Sequence, residues 1–257
     1  MLYLLTFVVG LSIGSFVNVL LYRLPRQESF AKTRSKCPHC SYQLQWFDLV
    51  PLASFIFLSG KCRKCKESIS PSYPAVELLF GLLSLLIFLE FTGNLLIVLF
   101  WLIIVSALAV LMLFDFRYLI LPDLVLVSIL VVTVVYEVAY RALGWSWFGV
   151  TWQSSIMAAM VIAIVFGAVW FFSRGKWLGF GDVKLGFIVG LIFGVSGSAF
   201  ILYASFIIGG AIALMLLLSH KATLKTKLPL GSFISMASIL YVFYQIPISH
   251  FLNKIFL

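Results

Sequence analysis

The chain has 257 residues, 63% of them apolar and 11% charged, with a mean hydropathy of +1.13. Soluble domains run about 45–50% apolar and about 25% charged, so a water-soluble globular protein, a disordered chain and a collagen-like fibre are excluded. Apolar runs of about 20 residues recur, the length of a transmembrane helix rather than of a tilted barrel strand, and the expected fold class is an all-α polytopic membrane protein.

The first run, Tyr3–Leu21, has no basic residue before it and no small-residue cleavage site after it, and Arg23 and Arg26 follow it. It reads as a retained span rather than a cleaved signal peptide. The long polar stretch behind it holds nine of the 18 basic residues against three acids, Glu28, Asp48 and Glu67. Further spans are expected at Ala75–Glu90, Leu95–Phe114, Leu121–Val138, Ser154–Phe172, Leu185–Val195, Ala199–Ser219 and Phe233–Ile246, about eight in all. The sixth is short and punctuated by Gly186, Gly190 and Gly194, small residues that let helices approach closely. This count puts the polar stretch on one side together with Arg117, Arg174, Lys176, Lys184, Lys221, Lys225 and Lys227, and leaves Arg141 and Lys254 opposite. Basic residues favour the cytoplasm, so the active face is expected there and both termini outside. The net charge of +9 then reports orientation, and no nucleic-acid partner is implied. The expected domains are a first helix at 1–22, a cytoplasmic zinc-binding domain at 23–74 and a membrane domain at 75–257. No internal repeat of 20–50 residues is evident.

Every cysteine falls in two knuckles, Cys37-Pro-His-Cys40 and Cys62-Arg-Lys-Cys65, spaced C-x2-C-x21-C-x2-C. Four thiolates at such spacing suit one tetrahedral zinc, and a segment too small for a core needs a staple of that kind. Two disulfides are the alternative, disfavoured on the reducing side of a membrane. His39 is a further possible ligand, although four thiolates already fill the shell.

Carboxylates inside spans cost several kcal/mol each and mark function by default. Beyond the polar stretch the acids are Glu77, Glu90, Asp115, Asp123, Glu137 and Asp182. Glu137 reads as a local helix partner of Arg141 near the outer surface, and Glu90 as a water-accessible residue at the outer end of the second span. Glu77, at the inner end of that span, is a secondary candidate. Asp115 closes the third span and Asp182 opens the sixth, in Gly179-Phe180-Gly181-Asp182-Val183-Lys184. Two crossings between them return the chain to the same face. Packed against each other, the two aspartates cannot both carry charge and would share a proton; the charged one activates water and the protonated one polarises a peptide carbonyl. Gly179, Gly181 and Lys184 then form an active-site loop whose glycines admit irregular backbone and an extended peptide. Asp123 rivals Asp115, but it follows Pro122 where a helix-capping Asp is expected. The residues alone leave two classes open: an aspartic endopeptidase and a proton-coupled transporter.

The segment Gly14–Pro25, the paired knuckles, Ile69-Ser70-Pro71 with Tyr73–Leu78, the run from Phe114-Asp115 to Leu121-Pro122-Asp123, and Gly179–Leu185 together resemble, in order, the bacterial type IV prepilin peptidase family. The resemblance implies a GxGD-type membrane aspartic protease of the bacterial inner membrane that removes the leader of prepilins and pseudopilins at the cytoplasmic face. It carries the catalytic pair over to Asp115 and Asp182. It also implies, for members with the cysteine-bearing domain, N-methylation of the new N-terminal residue with S-adenosylmethionine. No Gly-rich fingerprint after a strand marks a donor site. The partners so implied are the substrates and membrane lipid, in a type IV pilus or secretion setting.

Overall fold

The structure is a computed structural model describing residues 1–26, 28, 34–91, 93–142, 150–220, 223, 226 and 228–256, the side chains of 140–142 and 245–256 excepted. Lys32, Lys221, Lys225 and Lys227, and the side chains of Arg141 and Lys254, lie outside that description, so their assigned sides of the membrane do too. The described residues are helical without strands, in the order α1 (Leu2–Arg23), α2 (Ala53–Phe57), α3 (Ser72–Glu90), α4 (Leu95–Tyr118), α5 (Asp123–Ala142), α6 (Trp152–Ser173), α7 (Phe180–Leu218) and α8 (Leu230–Phe256). Five are long and apolar enough to cross a membrane, namely α1 with its following turn, α3, α4, α6 and α7, and α8 adds a shorter apolar stretch, Leu230–Tyr244. The chain divides into two compact units, Met1–Leu102 and Ile103–Leu257.

In the first unit α1 and α3 pack backbone to backbone. A Cβ on Gly14 would stand 2.7 Å from Glu77 Cα, and one on Gly10 would run into Ser84 and the Phe80 carbonyl; small residues at such a seam let membrane helices touch. Asn18 of α1 donates from Nδ2 to the Tyr73 carbonyl at 3.0 Å. Between the two helices lies the cysteine module, and it contains a repeat that the sequence reading misses. The Cys37 N–H donates to Tyr42 O and the Cys62 N–H to Glu67 O; Leu44 pairs with Ser35 O and Ile69 with Gly60 O. The bridges Lys36 to Gln43 and Lys61 to Ser68 match, and the residue after each second cysteine, Ser41 and Lys66, has positive φ. Ser35–Leu44 and Gly60–Ile69 are thus one fold used twice. Their identities overlap almost only at Lys-Cys-x-x-Cys, so the repeat is written in backbone turns that few side chains dictate.

In the second unit α6 opens on Thr151, whose hydroxyl accepts the Ser154 N–H, and closes on Arg174 in the left-handed region. The 39 residues of α7 contain one non-helical residue, Gly194, at φ 62, ψ −168. A straight helix of that length would run roughly 58 Å at 1.5 Å per residue. Instead, Asp182 near its start and Gly209 near its end both approach the first turn of α8, at Gly231 and Phe233 respectively. Tyr241 of α8 meets Phe193 on one side of Gly194 and Phe200 on the other. The element is therefore a helical hairpin folded at Gly194. The fold leaves few polar groups stranded, because the Val195 N–H donates to Ser154 Oγ at 3.0 Å and the Ser198 hydroxyl donates to the Gly194 carbonyl, as hydrocarbon surroundings require.

Candidate active site

Asp115 lies in the last turns of α4, which stop at Leu119 in the left-handed region (φ 55). Asp182 is in the first turn of α7, where its Oδ2 accepts the Gly179 N–H at 3.2 Å. The hairpin and α8 bring the two together. A Cβ on Gly231 would stand 3.0 Å from Asp115 Oδ2 and 3.1 Å from Asp182 Oδ1, so both carboxylates border a single point at the start of α8. The Ser232 N–H donates to Asp115 Oδ2 at 2.6 Å, and the Ser232 hydroxyl lies 3.2 Å from that oxygen and 2.9 Å from the Met112 carbonyl. Asp115 is buried and Asp182 half-buried. Backbone donors at a helix N-terminus suit carboxylates and hold them without a counter-charge.

Two of these contributors escape sequence reading. Gly231 and Ser232 are uncharged and more than a hundred residues from Asp115 in the chain; the available signal is Pro229, with Gly231 and Ser232 just behind it, ahead of an apolar run, a helix-start pattern. Leu121 is the other wall, since Cβ atoms on Gly181 and Gly231 would both come 3.0 Å from its side chain.

The other predicted residues take roles of their own. Gly181 and Lys184 belong to the helix α7 itself rather than to a loop, and Gly181 serves close packing on Leu121 instead of irregular backbone. Gly179 is the residue before the helix, extended at φ −74. Lys184 Nζ donates to Asp123 Oδ1 at 2.7 Å, so Asp123 ties the start of α5 to α7 and stays exposed. Glu77 accepts the Leu52 N–H at 2.9 Å, fastening the cysteine module to α3. Glu137 is buried, only 1% exposed, and the side chain of Arg141, its expected partner, lies outside the described residues; Glu90 is exposed as expected.

The four cysteine sulfurs lie within 4.8 Å of one another, with Cys37 to Cys65 at 3.9 Å and Cys40 to Cys62 at 4.0 Å. Such a cluster can hold a metal ion. Backbone N–H groups of Cys65 and Lys64 directed at Cys62 pull its thiol down to about 6, which favours the ligating thiolate.

A polytopic membrane protein with two facing aspartates and a four-cysteine module is thereby defined. The bacterial peptidase A24 N-terminal domain matches residues 8–91, and the type IV leader peptidase family matches residues 102–214. A prepilin leader peptidase/N-methyltransferase of Vibrio cholerae is 33% identical over 222 residues, 80% of this chain and 83% of its own. Proteins of the same name from Bacillus subtilis and Stutzerimonas stutzeri are 29% and 28% identical; the first alignment covers 96% of both chains, the second 90% of this chain and 86% of its own. No solved structure matches the chain. The chain belongs to the type IV leader peptidase family.

Proposed function

We propose that this protein is a prepilin leader endopeptidase of the bacterial inner membrane that also N-methylates the new N-terminus. The carrying observation is the convergence of Asp115 and Asp182 on Gly231. Family membership gives the transporter alternative no support. One aspartate, charged, takes a proton from a water that attacks the scissile carbonyl carbon. The other, protonated, polarises the carbonyl oxygen, and the departing amine leaves with a proton as the peptide bond breaks. The donors at Gly179 and Ser232 fix both carboxylates before substrate arrives, so little reorganisation is needed during the reaction. Beside Asp182, an apolar groove of about 260 Å³, lined by Leu126, Leu130, Ala163, Val183, Lys184 and Phe187, suits the apolar helix of a prepilin.

The reading has eight spans, the hairpin of α7 supplying two. It puts the active face and the cysteine module on the cytoplasmic side, on the strength of the basic-residue asymmetry. The domains remain 1–22, 23–74 and 75–257. Zinc is the proposed metal: a tetrahedral site with Zn–S of about 2.3 Å spaces its sulfurs about 3.8 Å apart, close to the separations at Cys37, Cys40, Cys62 and Cys65. The metal is structural and takes no part in the cleavage. S-adenosylmethionine, brought in by the naming of the relatives, supplies an electrophilic methyl group to the new amine; no residue is assigned to hold it. Lipid and a prepilin or pseudopilin are the partners. The test is incubation of the purified, reconstituted protein with a prepilin and methyl donor, reading leader loss and added methyl mass separately. Loss of the leader with wild type, and none with Asp115→Asn or Asp182→Asn in correctly inserted protein, is the expected result. Processing by either variant would remove that residue from the dyad, and loss with Asp123→Asn alone would transfer the role to Asp123.

A further inference from the structure

The cysteine module carries apolar side chains that its own interior does not use. Trp46 is 77% exposed, Ile56 71% and Phe57 87%, with Leu49 and Val50 exposed beside them. The same module exposes Lys36, Lys61, Arg63, Lys64 and Lys66. Apolar surface concentrated on a small polar module marks an interaction surface, and the first unit supplies a scale for its height.

Leu52, immediately before α2, donates its N–H to Glu77 in the second turn of α3. Glu77 is level with Gly14 of α1, since a Cβ there would touch Glu77 Cα. From Gly14 the helix α1 climbs to Arg23, a rise of roughly 13 Å at about 1.5 Å per residue, and Leu52, bonded to the Glu77 carboxylate, is held within one glutamate side chain and a hydrogen bond of the lower level. Arg23, buried, and Arg26, exposed, end the apolar run of α1, and an exposed basic residue at the end of such a run sits at the membrane surface. The turn α2 therefore hangs at the depth of the headgroups and upper acyl chains. There Ile56 and Phe57 gain an apolar environment, and a Trp finds its preferred level, an apolar ring with one N–H still within reach of water. The α2 turn bonds its own backbone, with the Ile56 N–H on Leu52 O and the Leu58 N–H on Ser54 O, so side chains rather than bare peptide groups meet lipid.

We propose that Trp46–Phe57 is an interfacial anchor. Trp46, Ile56 and Phe57 enter the bilayer boundary beside α1 and α3, and the basic residues around them engage anionic phospholipid headgroups. The anchor fixes the height of the cysteine module on the membrane. It requires only that α1 and α3 cross the bilayer and is independent of the peptidase reading.

The test uses the full chain in nanodiscs of mixed phosphatidylcholine and phosphatidylglycerol. The difference between wild-type and Trp46→Phe emission isolates Trp46, and Phe57→Trp in the Trp46→Phe background reports the tip of α2. Both signals are expected to lose at least half their intensity when the lipids are brominated high on the acyl chains, and to resist acrylamide in the water. Bromine carried on phosphatidylglycerol should quench more than an equal fraction carried on phosphatidylcholine. Signals quenched by acrylamide and untouched by brominated lipid would overturn the anchor. Signals shielded from both would do so equally, because protein would then cover the patch. Equal quenching by the two brominated lipids would overturn the anionic-headgroup part.

Discussion

Gly231 lies against both aspartates and Ser232 donates to one of them, neither contributing any charge, which makes them the sharpest probes of the dyad. In Gly231→Ala the new methyl would lie 3.0 Å from Asp115 Oδ2, 3.1 Å from Asp182 Oδ1 and 3.0 Å from Leu121, tighter than ordinary contact on three sides. The carboxylates must give way by a few tenths of an ångström. A misplacement of about 1 Å costs about 100-fold, so with shifts of a few tenths kcat for leader removal should fall about 3- to 30-fold with KM nearly unchanged. Ser232→Ala keeps the N–H donor to Asp115 and loses only the hydroxyl, which is shared between Asp115 and the Met112 carbonyl. Its kcat should fall about threefold to tenfold, the worth of one modest hydrogen bond. A common unfolding temperature for wild type and both variants would assign the losses to the site. Wild-type kcat in Gly231→Ala would show that this contact does not set the spacing of the carboxylates.

At the scale of elements, the hairpin in α7 rests on one residue. Gly194 occupies φ 62, ψ −168, a region essentially closed to other residues at a cost of about 1–3 kcal/mol, and a methyl there would also stand 2.6 Å from Val150 and 2.8 Å from Ser154 Oγ. Gly194→Ala should lower the unfolding midpoint in detergent. Gly210→Ala, where nothing lies within 4 Å of the added methyl, should hold or raise it, since Ala is the better helix residue. Equal midpoints for the two variants would deny Gly194 its role. Much of this was legible beforehand: apolar runs located the helices, and the short glycine-punctuated run ending at Val195 marked the place where α7 breaks, at Gly194. The unread parts are long-range or backbone-borne. The approach of α8 to Asp115 depends on how the hairpin packs, and neither Gly231 nor Ser232 has a charge or periodicity to betray it. The doubled knuckle is fixed by carbonyl-to-amide turns around Cys37 and Cys62, for which only the cysteines and a preceding lysine are spelled out. Gly181 was misread because its freedom of backbone was credited, whereas its missing Cβ makes room for Leu121.

For the whole molecule, the chemistry divides between the two compact units. All four cysteines lie in Met1–Leu102, while Asp115, Asp182, Gly231 and Ser232 lie in Ile103–Leu257. Protein purified without chelator should carry about one zinc per chain by elemental analysis, as a four-thiolate site demands. Replacing Cys37 and Cys40 by Ser removes half the ligands and should abolish that zinc. A structural metal supplies much of the folding free energy of a module this small, and the module has few buried residues of its own besides Cys37 and Cys62, so its two knuckles should disorder together. The aspartates keep every donor described for them, because each comes from the second unit. Peptide cleavage is therefore expected to persist at reduced rate. Methylation is expected to fall much further, if the segment from Gly14 to Glu77 forms part of the methyl-transfer site. The measurement is the ratio of methylated to cleaved product in the double variant against wild type. An unchanged ratio would move methyl transfer into the second unit, and complete loss of cleavage would make the cysteine module part of the peptidase or essential to its fold.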